Sequence, residues 1–264
     1  MKNYKRAKHF KSILIILVIL IGIGYFNRVT IMQKMVSLST ESPIISIDKK
    51  THNATENEQL ATQEFNGQSV VSVNQNQPTF SNDEMKISAT GWQKLSALDW
   101  LGRPQVANAL LNRKLMPTSQ KDKARERLTV KTPGYHAIKT SVNVSDWLYN
   151  RSHLIGYQFT GLNNEPKNLI TGTNQLNADS RPNAKSMVTY ETEVADYLRQ
   201  STSHYVRYQV TPIYRNMELV PRGVHMMAQS LKDTAISFNV YIFNVQDSWQ
   251  INYQNGQATK GEKE

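Results

Sequence analysis

Apolar positions are distributed unevenly along the chain. Between Ile13 and Ile23 they are almost continuous, broken only by Gly22, and Gly24, Tyr25 and Phe26 extend the run. Counted generously this is about 14 residues, or about 21 Å of helix at 1.5 Å per residue, against a hydrocarbon core of roughly 30 Å. From 37 to 90 the pattern disappears into Ser, Thr, Gln, Glu and Asn, including Asn53, Asn57, Gln59, Asn66, Gln68 and the run Asn74 to Gln77. That segment reads as a low-complexity polar spacer, in which Ser69 to Val73 alone could form a strand paired with a domain edge. Periodicity returns near Gly91. Trp92, Leu95, Leu98, Trp100 and Leu101 recur at roughly helical spacing, and Val106, Ala109, Leu110 and Leu111 resume it after Pro104, so two helices are predicted, the second ending near Pro117.

Further on, Pro133 to His136 opens a predicted strand, and another leads into Asn150. Met187, Tyr190, Val194, Tyr197 and Leu198 share one side of a helix predicted over about 185–200. Alternation then takes over: Tyr205, Arg207 and Gln209 against Val206, Tyr208 and Val210, followed by the β-branched and aromatic run Ile236 to Val245. The expectation is an α+β domain with a central antiparallel sheet flanked by helices. Its expected boundaries are 1–36 for a basic tail and membrane segment, 37–90 for the spacer and 91–264 for the folded domain.

Composition narrows the function. The 264 residues carry a net charge of +10, from 31 Lys and Arg against 21 Asp and Glu. Much of it is crowded at Lys2, Lys5, Arg6, Lys8 and Lys11, but the excess persists beyond residue 91. Nucleic acid, anionic lipid or an anionic wall polymer are the partners this favours. The chain has no cysteine, which excludes disulfides, thiolate zinc sites and a cysteine nucleophile. The basic stretch before Ile13 marks an export or anchor segment. With bulky and charged Tyr25 to Arg28 where a small-x-small cleavage site would stand, an uncleaved anchor is expected, a cleaved signal being the alternative. Either places the remainder outside the cell membrane.

Chemistry concentrates in Asn150-Arg151-Ser152-His153-Leu154-Ile155-Gly156-Tyr157. A histidine two residues from an arginine supplies a base near neutral pH and a fixed cation for phosphate oxygens. Asn168, Asn177 and Glu191 follow. Asparagine oxygens suit a hard cation held mainly by water and phosphate, and a helical carboxylate can orient such waters. Singly, each has an ordinary explanation: loop asparagines serve as turn and cap residues, and helical glutamates are mostly solvated. His136, His204, His225, His9 and His52 have no matching partner set.

The order and surroundings of these residues resemble the DNA/RNA non-specific endonucleases of the ββα-metal superfamily, among them DNA-entry and secreted nucleases of Gram-positive bacteria. The family's Asp-Arg-Gly-His hallmark is matched at Arg151 and His153, with Asn150 and Ser152 in place of its aspartate and glycine. Pro166 to Thr173 is similar to its second block, and further likeness lies in Val106 to Leu111, Pro133 to His136, Tyr208 to Pro212 and Phe238 to Val240. The resemblance implies that His153 is the general base and that Asn177 holds one Mg²⁺, with Mn²⁺ as a substitute. It further implies that Glu191 fixes metal-bound water and that Asn168 positions the histidine or the metal's shell. Arg151 would stabilise phosphate charge, and Arg125, Arg127 and Asn150 would contact substrate. Losing a carboxylate at 150 could lower the basicity of the histidine or loosen its orientation. The implied activity is hydrolysis of DNA and RNA backbones without base reading. The alternatives are a catalytically weak surface DNA receptor and a basic wall-binding protein.

Overall fold

The computed structural model describes residues 49–118, 126–140 and 147–261. In chain order the described elements are α1 (Lys49–Thr62), β1 (Val70–Ser72), β2 (Trp92–Leu95), β3 (Ala107–Asn112), β4 (Tyr149–His153) and α2 (Tyr157–Thr160). There follow β5 (Leu169–Thr173), α3 (Asn174–Ala178), α4 (Met187–Gln200), β6 (Tyr205–Ile213), β7 (Gly223–Ser230), β8 (Ser237–Phe243), β9 (Trp249–Ile251) and β10 (Ala258–Lys260). Six strands form one antiparallel sheet in the order β1-β8-β7-β6-β3-β2. β4 and β5 make a separate antiparallel hairpin, as do β9 and β10. The α+β expectation is met: a central antiparallel sheet with helices against it.

Alternation in the three longest strands builds the core. Val206, Tyr208 and Val210, Val224, Met226 and Ala228, and Phe238, Val240 and Ile242 all point to one face. There they meet Met187, Tyr190, Val194, Ala195 and Leu198 of α4, and Leu154, Ile155, Ile170 and Leu176 from around the hairpin. The apolar stripe of α4 is thus fully used. A box at its start, in which Ser186 and Thr189 exchange side-chain to backbone hydrogen bonds, sets where the helix begins.

The opposite face of the sheet is buried too, and its cover corrects the spacer expectation for residues 49–90. Leu60 of α1 packs with Val73, Ile213, Tyr241 and Phe243, and Phe65 sets its edge against Phe243 at 5.6 Å. Phe80 lies under the buried Arg207 guanidinium at 4.7 Å. Arg207 is in turn held by Glu84 at 2.9 Å, Asn108 at 2.6 Å and the Tyr208 carbonyl at 2.7 Å. A charge buried this deeply is tolerated because it is paired and hydrogen-bonded. β1 adds itself to the edge of β8, Val71 opposite Tyr241, as expected of the Val70 to Val73 run. The cover has no apolar periodicity because the sheet face beneath it is itself partly polar, and hydrogen bonds rather than a hydrophobic stripe attach it. The compact unit runs Lys49–Glu264, while residues 37–48 lie outside the described residues.

Neither helix predicted over 92–117 forms: the stretch holds the strands β2 and β3, followed by a single 3₁₀ turn at Arg113–Leu115. β3 is buried along nearly its whole length, so apolar residues occur on both faces and no period-two signal survives. The predicted strand at Pro133 is a turn instead, closed by the Tyr135 N–H donating to the Thr132 carbonyl at 3.2 Å. Gly134 there takes φ +68, a left-handed conformation glycine adopts without strain. No helix among the described residues is long and apolar enough to cross a membrane, and the Ile13 to Phe26 run lies outside them.

His225 of β7 joins the cover to the sheet. It is buried, with Nε2 2.5 Å from Asn239 Oδ1 and Nδ1 2.7 Å from the Asn57 amide of α1, which donates to Nδ1 with its Nδ2 turned to the ring. The Asn239 amide nitrogen already donates to the Gln77 carbonyl, so its oxygen faces the ring and Nε2 carries the proton. Burial holds the His225 pKa below its ordinary value of 6.5. Above that pH both folded and unfolded chains keep the ring neutral and its contribution is complete. As pH falls the unfolded chain takes up the proton first, and stability is lost progressively down through the folded pKa. The melting temperature is expected to drop between pH 7 and pH 5, and a His225→Gln variant to show a shallower slope over the same range.

Candidate active site

The hairpin explains how Arg151 and His153 come to act together. Register pairs Asn150 with Gly172, Arg151 with Thr171, Ser152 with Ile170 and His153 with Leu169. Alternation sends Asn150, Ser152, Ile170 and Gly172 to the core side, and Arg151, His153 and Thr171 to the other. A Cβ built on Gly172 would stand 2.3 Å from Ser152 Oγ and 3.1 Å from Leu176, which shows how closely that inner face is packed. Asn150 therefore lies on the face away from the imidazole, and the missing carboxylate at this position is not set against the ring.

The outer face is lined by the loop before the hairpin. Arg151 Nε donates to the Val130 carbonyl at 2.5 Å, and its guanidinium lies over the Tyr135 ring at 4.2 Å. Thr171 Oγ1 shares a hydrogen bond with Thr132 Oγ1 at 2.7 Å and donates to the Pro133 carbonyl at 2.8 Å. The arginine is thereby held flat against the loop with the outer guanidinium nitrogens left for a ligand. His153 Nε2 lies 2.8 Å from the Asn163 carbonyl oxygen. A carbonyl only accepts, so Nε2 carries the proton and Nδ1 is the ring nitrogen with the lone pair.

Asn168, Glu191 and Gly156 shape the turn that follows the histidine. Asn168 is fully buried. Its Oδ1 accepts from the Ile155 N–H and its Nδ2 donates to the Ile155 carbonyl, both at 2.9 Å, while its own carbonyl accepts from Leu154 N. Both ends of the amide are bonded to backbone, so Asn168 fixes the turn after His153. Gly156 lies against the Glu191 carboxylate, since a Cβ there would meet Oε2 at 2.6 Å and Cδ at 2.8 Å. Glu191 is buried, and close enough to Tyr208 that its charge adds to burial in pushing that phenol's pKa well up.

Asn177 lies on α3, directly after β5, and α3 packs against α4 and both hairpin strands. It is half-buried and its amide makes no hydrogen bond with the described residues. Among the described residues no three His, Asp or Glu side chains gather to hold a metal. A cation at this site would take the Asn177 oxygen as its protein ligand, with water and substrate oxygens around it. Such an all-oxygen set fits a hard divalent ion. Arg127 is exposed, on a loop anchored by Asn163 Nδ2 on the Glu126 carbonyl and by Asn164 Oδ1 on the Thr129 and Val130 N–H groups. Arg125 lies outside the described residues.

One contributor left no mark in the sequence. Asn244, fully buried at the end of β8, accepts from Thr173 N at 2.8 Å and donates to the Thr171 and Pro221 carbonyls at 3.0 and 2.9 Å. It suspends the hairpin from the sheet. Only its place after an apolar strand hinted at burial.

A β-hairpin running through short helices into a helical glutamate, with a tautomer-fixed histidine and an arginine on its outer face, defines the ββα-metal class of nucleases. The chain belongs to the DNA/RNA non-specific endonuclease family, whose sequence profile matches residues 83–232, and it is accordingly a phosphodiester hydrolase by family. A curated deoxyribonuclease of Streptococcus dysgalactiae subsp. equisimilis is 33% identical over 109 residues, which is 41% of this chain and 32% of the relative. The match thus spans about a third of that relative's length. In three dimensions NucA from Streptococcus agalactiae, solved with a magnesium ion bound, superposes with a TM-score of 0.66 at 26% identity. The match covers 82% of this chain and 100% of NucA. The Sda1 nuclease, solved with a bound zinc ion, gives 0.57 at 26% identity, covering 64% and 81%.

Two substitutions probe this geometry. Gly156→Ala drives a methyl into the Glu191 carboxylate and is expected to cut DNA cleavage by at least about tenfold while circular dichroism stays native, since displacements of this size at a site cost about that much. Gly172→Ala over-packs the hairpin and should cost about 1–3 kcal/mol in denaturant melts, with Ser152→Gly in the same chain restoring part of the loss.

Proposed function

We propose that this protein is a sugar-nonspecific endonuclease that hydrolyses DNA and RNA phosphodiesters with His153 as general base and one Mg²⁺ held through Asn177. The observation that carries the reading is the hydrogen bond from His153 Nε2 to the Asn163 carbonyl. It fixes the tautomer with a basic Nδ1 on the face of the hairpin that also carries Arg151. In this scheme Nδ1 takes the proton of the attacking water. Arg151, stacked on Tyr135, meets a non-bridging phosphate oxygen with its outer nitrogens. Asn168 keeps the turn behind the histidine from shifting, and Glu191 orients water near Asn177. Arg127 and Arg125 draw in the backbone. When bound, the divalent ion polarises the phosphoryl oxygen and stabilises the leaving 3′ oxygen. Recognition through backbone groups alone leaves base sequence unread.

Asn150 has a positional role in this scheme. It faces the core side of the hairpin with the strand pair, so the histidine keeps its orientation through Asn163 and the turn after it. We place the enzyme outside the cytoplasmic membrane, carried by the basic and apolar segment of residues 1–36. Fractionation of expressing cells checks this, with retention in the cytosol as the contrary result.

The deciding assay is plasmid DNA and a homopolymer RNA incubated with the protein in Mg²⁺ or in EDTA. Cleavage is expected in Mg²⁺ only. His153→Ala should lower kcat by about 10²- to 10⁴-fold, and Asn177→Ala should raise the Mg²⁺ concentration needed for half-maximal rate. Intact plasmid with the wild-type protein in Mg²⁺, accompanied by salt-sensitive binding, would replace the enzyme with a DNA receptor.

A further inference from the structure

A cavity of about 500 Å³ is lined by Arg113, Thr118, Tyr157, Gln158 and Arg199 among others. Arg113 occupies the short 3₁₀ turn after β3, and its Nη1 donates to the carbonyl of Arg199 in the last turn of α4. Arg199 spends Nη1 on Asp196 at 2.7 Å and reaches Gln158 with Nη2 at 3.3 Å. Asp196 is the only carboxylate paired with either guanidinium among the described residues, and its side chain is 61% exposed. Two cations thus stand at the wall of a cavity with one solvated carboxylate, paired with Arg199, between them and neutrality.

Capping of α4 is the plainer explanation of this pair, since cations are stabilised at helix C-termini. It accounts for Arg113 and its one bond. It does not account for Arg199, whose Nη1 is taken by Asp196 one turn back and whose Nη2 turns to Gln158 rather than to the terminal carbonyls. The route of the chain supplies the missing reason. Gly156 lies against Glu191 and Gln158 against Arg199, so the segment leaving His153 runs along α4 from the candidate centre to the arginines. Glu191 and Arg199 are eight residues apart on one helix, about 12 Å at 1.5 Å per residue.

We propose that Arg113 and Arg199 form a second phosphate subsite, which grips the backbone of the substrate strand away from the bond that is cut. Along one strand of a duplex, charges recur about every 3.4 Å of helix axis and lie farther apart through space, so the subsite takes a phosphate roughly two to four nucleotides from the scissile one. The ligand class is a nucleic-acid phosphodiester, which a guanidinium pair can meet with parallel N–H donors. The proposal rests on the nuclease reading of the His153 centre for its place on the substrate path.

The test uses the full chain with Arg199→Gln, Arg113→Gln and the double variant, assayed on a trinucleotide and on a 20-nucleotide strand. For the long strand KM is expected to rise about tenfold in the double variant. The slope of log KM against log salt should fall by about one in the double variant, for the one phosphate released, and kcat and the trinucleotide KM should stay within about twofold. Arg199→Gln keeps the cap that Arg113 makes, so it separates binding from helix stability, which thermal melts follow. Equal losses on short and long substrates, or unchanged KM and salt slope for the long strand, would overturn the subsite. Should the wild type cut nothing, the same variants are compared for binding of the 20-nucleotide strand in EDTA by fluorescence anisotropy. An unchanged salt slope there overturns the subsite, and a reduced one supports it independently of catalysis.

Discussion

The attachment of the β4–β5 hairpin to the main sheet centres on one buried amide. Asn244 sits where β8 ends and holds β5 through Thr173 N and the Thr171 carbonyl, and the chain before β7 through the Pro221 carbonyl. Among the described residues β4 and β5 pair only with each other, so their ladder gives them no attachment to the main sheet. Backbone groups of a two-stranded ribbon that are buried against a sheet must find partners, and a two-stranded ribbon alone is marginal in water. Asn244 answers both needs, with the Thr173 hydroxyl on the Val245 carbonyl beside it. The position of His153 relative to α4 follows from this anchorage and from the core contacts of Leu154, Ile155 and Ile170.

From that anchorage the site is assembled by backbone-directed hydrogen bonds more than by contacts among its own side chains. Asn163 fixes the histidine by a main-chain carbonyl, Asn168 fixes the turn by clasping Ile155, and Val130 fixes the arginine. Each partner is a loop atom pinned elsewhere, as Asn164 pins residues 129 and 130. The outcome is a face whose donors and acceptors are already oriented before substrate arrives, which is what electrostatic stabilisation of a phosphoryl group requires.

Much of this could be seen in the sequence, and the parts that could not share a cause. α4 was legible because one face is apolar and the other solvated, and β6 and β8 because one side of each is mostly apolar. β3 was not, since both its faces are covered and alternation vanishes. α1 was missed because it buries little beyond Leu60 and attaches through Asn57 and the Ala61 carbonyl, with Glu64 just after it. The Arg151–His153 pair stood out from residue types and spacing. Yet the face assignment of Asn150, the committed amide of Asn168 and the Asn244 staple are set by register and by contacts between distant segments. Those are properties of pairing, and a single sequence does not display them.

The β1–β8 pairing has a bearing on how the chain reaches its folded state. Val70 finds its partner in Ile242 and Val71 in Tyr241, so a segment made early in synthesis must wait for one made near the end. Until then the second face of the sheet has no lid, and long-range pairings of this kind form late because loop closure precedes their reward. A chain emerging N-terminus first is therefore kept from premature closure by its own topology. The histidine-bearing hairpin shares that delay, because its staple, Asn244, is two residues past Ile242. Closure of the sheet and completion of the site are one late event.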